Sequence, residues 1–157
     1  IEQMRVMQNV LPNEFNFAKP GEAGYASAPY TAKVYHPAGG GLTLFNATAD
    51  MFAAGSAKRG WVAQTGTNVE GTASTASDII LSFVDVATPV CKAINRRLYK
   101  ESSIPATTLN SSIVFIHGGG DDGDFAMADC PACNGRGSYC VKDASGANVF
   151  YNVILAR

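Results

Sequence analysis

Hydrophobic and polar positions alternate between two periods along this chain, and residues 78–86 carry the strongest signal. There Ile79, Ile80, Leu81, Phe83, Val84 and Val86 crowd one short segment, which takes its place among the expected strands. Thr88 and Pro89 follow as a helix start, with Thr88 as the N-cap and Pro89 at a position proline favours. Val90, Cys91, Ile94 and Leu98 then recur at helical spacing, while Lys92, Arg96, Arg97 and Lys100 fall on the water side. The basic residues near the end of this helix suit the negative end of its dipole, and Ile104-Pro105 closes it. A final strand is expected over 148–155, with Val149, Tyr151, Val153 and Leu155 on one face and Phe150 and Ile154 on the other.

Weaker periodicity fills in the rest. Ile1, Met4, Met7 or Gln8, and Leu11 form a helical stripe with polar residues between them, and Pro12-Asn13 stop it. No capping residue precedes Ile1, so this helix reads as the end of a longer one, with a short N-terminal helix packed on the domain as the alternative. Because the first residue is Ile1 and not Met, a processed or truncated product is expected, with any targeting element upstream. Residues 15–30 are broken by Pro20, Gly21, Gly24 and Pro29. Residues 31–36 alternate as a strand (Ala32, Val34 and His36 on one face), Gly39-Gly40-Gly41 turns the chain, and 42–45 reads as the partner strand. Residues 48–58 are ambiguous, 61–64 and 113–116 read as short strands, and 66–77 and 117–140 as loops. No fixed-period repeat appears. The expected fold is α+β and one domain over residues 1–157. Its truncated N-terminal helix packs on an antiparallel sheet, a second helix lies midchain, and a disulfide-stapled loop precedes the last strand.

A chain of 157 residues is long enough to bury roughly two-thirds of its unfolded surface. Charged residues make up 16%, below the typical value of about 25%, and the net charge is −1. Twelve basic against thirteen acidic residues leave no electrostatic footprint for nucleic acid. No apolar run reaches the roughly 18 residues needed to span a bilayer.

Cysteine chemistry narrows the class. Cys91 stands in the midchain helix, and Cys130, Cys133 and Cys140 crowd a glycine-rich segment. An even count predicts two disulfides and an oxidising compartment. Cys91–Cys140 with Cys130–Cys133 is the preferred pairing, and Cys91–Cys130 with Cys133–Cys140 is the alternative. A staple closing about 50 residues would add roughly 4 kcal/mol on the chain-entropy account. The run Cys130-Pro131-Ala132-Cys133-Asn134-Gly135-Arg136-Gly137 also resembles the zinc-binding repeat of a class of heat-shock co-chaperones. Those proteins pair several copies to give each zinc four thiolates, whereas this chain has one copy, so zinc would need help from His36 or His117. A thioredoxin-type role for the CxxC would need a helix N-terminus beside it, which the glycines disfavour.

Asp121, Asp122 and Asp124 lie among glycines with Asp129 nearby, a solvated acidic turn with a calcium loop as the alternative. His36 and His117 read as structural. No nucleophile elbow, HExxH or phosphate loop is present.

Several segments together resemble the type IV pilin and pseudopilin superfamily of Gram-negative bacteria. They are residues 1–11, Val90-Cys91-Lys92-Ala93-Ile94-Asn95, Ile104-Pro105, Tyr139-Cys140-Val141 and residues 150–157. The family's defining apolar segment, with its cleavage site and Glu, is not among these 157 residues. The resemblance implies a non-enzymatic filament subunit working by assembly, adhesion or secretion in the cell envelope or an extracellular filament. Its partners would be other pilin-like subunits and the assembly machinery, with Ile1, Met4, Met7 and Leu11 as the assembly residues. The family's N-terminal helix sits in the membrane before assembly. No resident cofactor is expected apart from the calcium alternative. An unrelated extracellular binding or adhesion domain is the second reading, and a secreted hydrolase the third.

Overall fold

A computed structural model describes residues 16, 18–43, 47–56, 60–69, 78–109 and 128–155. The chain divides into two compact units, Ile1–Asn46 and Ala47–Arg157. The expected helix over 1–11, the strand over 113–116 and His117 lie outside the described residues.

The second unit is α+β. Four strands, β1 (Gly60–Thr67), β2 (Asp78–Val84), β3 (Ser138–Lys142) and β4 (Asn148–Leu155), form one antiparallel sheet in the order β1-β2-β4-β3. The helix α1 (Thr88–Tyr99) follows β2. β2 has a neighbour on each side, and all its residues but Leu81 are buried, which explains its near-continuous apolar sequence. Pairing places Phe83 beside Trp61 and Phe150 on one face, and Ser82 beside Val62 and Tyr151 on the other. The first face packs Phe83, Cys140 and Phe150 against Cys91, Val90 and Ile94 of α1, and against Met51 and Phe52. The second gathers Ile80, Val84, Val141, Val149 and Tyr151 with Val69, Cys130 and Cys133. Two apolar layers therefore use the two faces of one sheet, and the alternation read along β4 holds from Val149 to Val153.

α1 differs from expectation at both ends. Ala87, in an extended conformation, is its N-cap and makes no side-chain capping bond. The Thr88 hydroxyl instead accepts a hydrogen bond from Asn148 Nδ2 at 3.1 Å, so tertiary pairing takes the capping oxygen. The helix stops at Lys100, before Ile104-Pro105, because Lys100 turns left-handed (φ 62°) and donates its N–H to the Arg96 carbonyl. Leu98, expected on the inner stripe, is 45% exposed, while Asn95 is wholly buried and Tyr99 partly so.

β3 lies where a loop was expected. Tyr139 and Val141 alternate with Ser138, Cys140 and Lys142, and a hairpin turn at Asp143–Ala147 joins β3 to β4. The Asp143 carboxylate holds that turn, accepting the Ser145 and Ala147 N–H groups and the Ser145 hydroxyl.

In the first unit, the strand expected over 31–36 does not form. Tyr30–Ala32 is a 3-10 turn after Pro29, and only Lys33 makes a β-bridge, to Asn16. The carbonyls of Lys33 and His36 are taken by Gly40 and by Gly39 and Gly41, so turn bonding displaces a ladder. Leu42 and Thr43 are likewise outside any strand, although the Leu42 N–H reaches the Val34 carbonyl at 3.1 Å. Gly39 is obligatory here, since a Cβ would fall 2.2 Å from the Lys33 carbonyl oxygen.

Candidate functional site

The described polar chemistry concentrates on the outer edge of β3 and on the cysteine loop before it. Cys91 bonds Cys140, and Cys130 bonds Cys133, which leaves no free cysteine. These are the preferred pairs of the sequence reading. With every thiol oxidised, the zinc-thiolate alternative has no ligands. Cys91 and Cys140 are both fully buried and join the first turn of α1 to the middle of β3.

β3 is an edge strand, and an uncovered edge exposes unpaired N–H and C=O groups that invite another strand. Here side chains and a neighbouring segment fill them. Asn95 Oδ1 accepts the Cys140 N–H at 2.9 Å, and Asn95 Nδ2 donates to the Cys140 carbonyl at 2.8 Å and to the Ser103 carbonyl at 2.8 Å. The Tyr99 hydroxyl donates to the Ser138 carbonyl at 2.7 Å. The Lys142 N–H reaches the Pro105 carbonyl, and the Lys142 carbonyl receives the Thr107 N–H, both at 2.8 Å. A helix side chain thus imitates a strand, one turn along from the disulfide.

The cysteine loop is tied down as firmly. Pro131–Cys133 is a 3-10 turn, the Arg136 N–H donates to the Cys133 carbonyl, and the Tyr151 hydroxyl donates to the Arg136 carbonyl at 2.9 Å. The Arg136 guanidinium lies 4.2 Å from the Tyr99 ring centre and 4.5 Å from that of Tyr139. It pairs with both oxygens of Glu101, at 3.1 and 3.3 Å, and the Tyr139 hydroxyl donates to Glu101 at 3.0 Å. Hydrogen bonds from Arg136 and Tyr139 hold the Glu101 carboxyl below the usual carboxylate range. Burial, then the bond to Glu101, pushes the Tyr139 hydroxyl up, and burial pushes Tyr151 up strongly. Cys130 and Cys133 are 0% and 4% exposed, so this disulfide is sealed from the solvent that thiol exchange requires.

The first unit has a smaller aromatic arrangement. Lys33, 2% exposed, places its ammonium 4.3 Å from the Tyr25 ring centre and 4.6 Å from that of Tyr30. Tyr30 in turn stacks on His36 at 4.5 Å, and His36 Nδ1 accepts the Ala38 N–H. His36 is thereby held in a turn.

Of the acidic group, Asp121, Asp122 and Asp124 lie outside the described residues. Asp129 accepts the Thr108 hydroxyl at 2.6 Å and the Thr108 N–H on its carbonyl. Among the described residues no cluster of three or more potential metal ligands occurs. The assembly residues Ile1, Met4, Met7 and Leu11 are also outside the described set. Sequence reasoning missed Asn95, Tyr99, Glu101 and Arg136. Asn95 carried a signal, because it follows Cys91 by one turn on the same helix face. Nothing local announced the Arg136–Glu101 pair, which spans 35 residues.

No known protein family, characterised protein or solved structure matches the chain.

Proposed function

We propose that this chain is a non-enzymatic subunit of an extracellular filament of the type IV pilus or secretion-pseudopilus kind, working by assembly. The carrying observation is the closed edge of β3, where the Cys91–Cys140 disulfide and Asn95 fix the helix to the strand. Such a module suits an oxidising compartment and dense packing of copies, because its β3 edge offers no template for disordered strand addition. Further support comes from how the shifted groups are used: Glu101, Arg136, Tyr139 and Tyr151 bond one another or the backbone. The stripe Ile1, Met4, Met7 and Leu11 supplies the contact with neighbouring subunits and the assembly machinery.

Replacing Met4 and Met7 by Glu in the full-length protein tests this. Filaments or secretion should be lost while the melting temperature of the purified domain is unchanged. Normal filaments and secretion in that variant would sink the proposal. The reading as an extracellular binding domain has one observation in its favour, the Tyr30 ring, 63% exposed and stacked on His36. Loss of adhesion on Tyr30→Ala, with filaments and secretion untouched by the methionine changes, would put it first.

A further inference from the structure

The water side of α1 carries four cations and no acid. Lys92, Arg96, Arg97 and Lys100 are all exposed, and residues 88–100 contain neither Asp nor Glu. At 100° per residue the four span about 140° of the helix surface, with the small, exposed Ala93 among them. Lys92 and Arg96, and again Arg96 and Lys100, stand four residues apart, a spacing at which like charges repel and weaken a helix. The helix dipole accounts for cations in the last turn, but Lys92 lies far from it. The nearest acid in sequence, Glu101, is engaged by Arg136 and Tyr139. Among the described residues no ion pair reaches any of the four. Among the described residues the basic stripe is therefore self-repelling, in a chain whose net charge is −1.

The compensating acid is concentrated in the same sequence, where Asp121-Asp122-Gly123-Asp124 puts three carboxylates into four positions. We infer that the basic face of α1 is a subunit interface whose occupant is the acidic segment 121–124 of a second copy of this chain. Four cations facing three carboxylates on a neighbour would relieve both repulsions, and charge complementarity of this kind fixes register and partner. The contact joins two different surfaces, so it is heterologous: repeated from copy to copy it gives a ring or an open helical filament, not a closed dimer. The inference rests on the filament reading and names the contact between heads.

Sedimentation of the purified chain tests it. Self-association should appear at about 0.01 M salt, where charges act over about 30 Å, and vanish near 1 M, where screening shortens that to about 3 Å. The Arg96→Glu/Arg97→Glu variant should associate at least ~10-fold more weakly than the unaltered protein. An Asp121→Lys/Asp122→Lys variant should do the same, and an equimolar mixture of the two should restore association. If the arginine variant does not fold, Lys92→Gln/Lys100→Gln takes its place and should weaken association in the same direction. A monomer at low salt, undiminished association of the arginine variant, or no recovery in the mixture would each overturn the inference. So would salt-sensitive binding of DNA through these cations without self-association, which would assign the stripe to nucleic acid. Filaments that survive the arginine reversal overturn the contact and leave the filament proposal standing. Loss of filaments in the Met4 and Met7 variant supports that proposal whatever the charge-swap result.

Discussion

Asn95→Ala is expected to destabilise the second unit about as much as loss of the long-range disulfide beside it. The side chain is wholly buried and makes three hydrogen bonds, to the Cys140 N–H, the Cys140 carbonyl and the Ser103 carbonyl. Alanine leaves those three backbone groups without partners. A buried polar group stripped of its bond costs about 1–3 kcal/mol, so a total of about 3–5 kcal/mol follows after partial relaxation. For a chain of this size, 1 kcal/mol moves the melting temperature by about 2–4 °C, which places the variant about 6–20 °C lower. The Cys91–Cys140 bond keeps the strand close but supplies no donor or acceptor, so it does not rescue the loss. Thermal unfolding by circular dichroism under oxidising conditions reads the shift. Hydrogen exchange at the Cys140 amide reads it locally, with protection falling by about a hundredfold for 3 kcal/mol. Asn95→Asp retains an acceptor for the Cys140 N–H but points a carboxylate at two carbonyls, and it should partly recover on acidification. A drop below about 2 °C for Asn95→Ala, with the disulfide intact, would refute the claim that this residue closes the edge.

The two disulfides should contribute unequally. On the chain-entropy account, Cys91→Ala/Cys140→Ala removes a cross-link over a separation of 49 and costs about 4 kcal/mol, whereas Cys130→Ala/Cys133→Ala, with a separation of 3, costs about 2. Urea unfolding of the two variants gives the order, and the reverse order would contradict the account. Glu101 makes stability pH-dependent. Its carboxyl is depressed in the folded state, so its contribution is complete above the ordinary glutamate range and is lost as pH falls through the depressed value. The melting-temperature gap between the protein and Glu101→Gln should therefore be open at about pH 7 and narrow as the pH falls below the ordinary glutamate range. A gap that stays constant over that range would remove Glu101 from the explanation.

Elements backed by dense local patterning were legible, and those made by distant partners were not. β2 and β4 announce themselves through apolar runs, and α1 through its stripe and Pro89, because burial on the sheet faces selects those residues directly. β3 carries alternation at Tyr139 and Val141, but it is only five residues long and follows Gly135 and Gly137, whose turn chemistry hides its start. Over 31–36 the alternation of Ala32 and Val34 is real, and both are buried, yet Lys33 is buried as well and the glycine turn captures its carbonyl. Of the candidate site, the cysteine pairing was readable as a preference. The placement of Arg136 over the touching rings of Tyr99 and Tyr139 was not, because it joins a loop, a helix and a strand that meet only after folding.

The strand order carries a consequence for the route by which the native state is reached. β2 is joined on one side by β4, the last of the described strands, and Cys91 by a cysteine in the strand just before it. Neither partner exists until the C-terminal part of the chain has emerged. Until then β2 presents an apolar face and an unpaired rim, and Cys91 lacks its native partner. Such long-range pairing is slow to nucleate, because the intervening loop must close before any contact rewards it. Emergence of β3 and β4, closure of the sheet and formation of the Cys91–Cys140 bond are therefore one linked event, and a free thiol at Cys91 is a chemical mark of a sheet not yet closed.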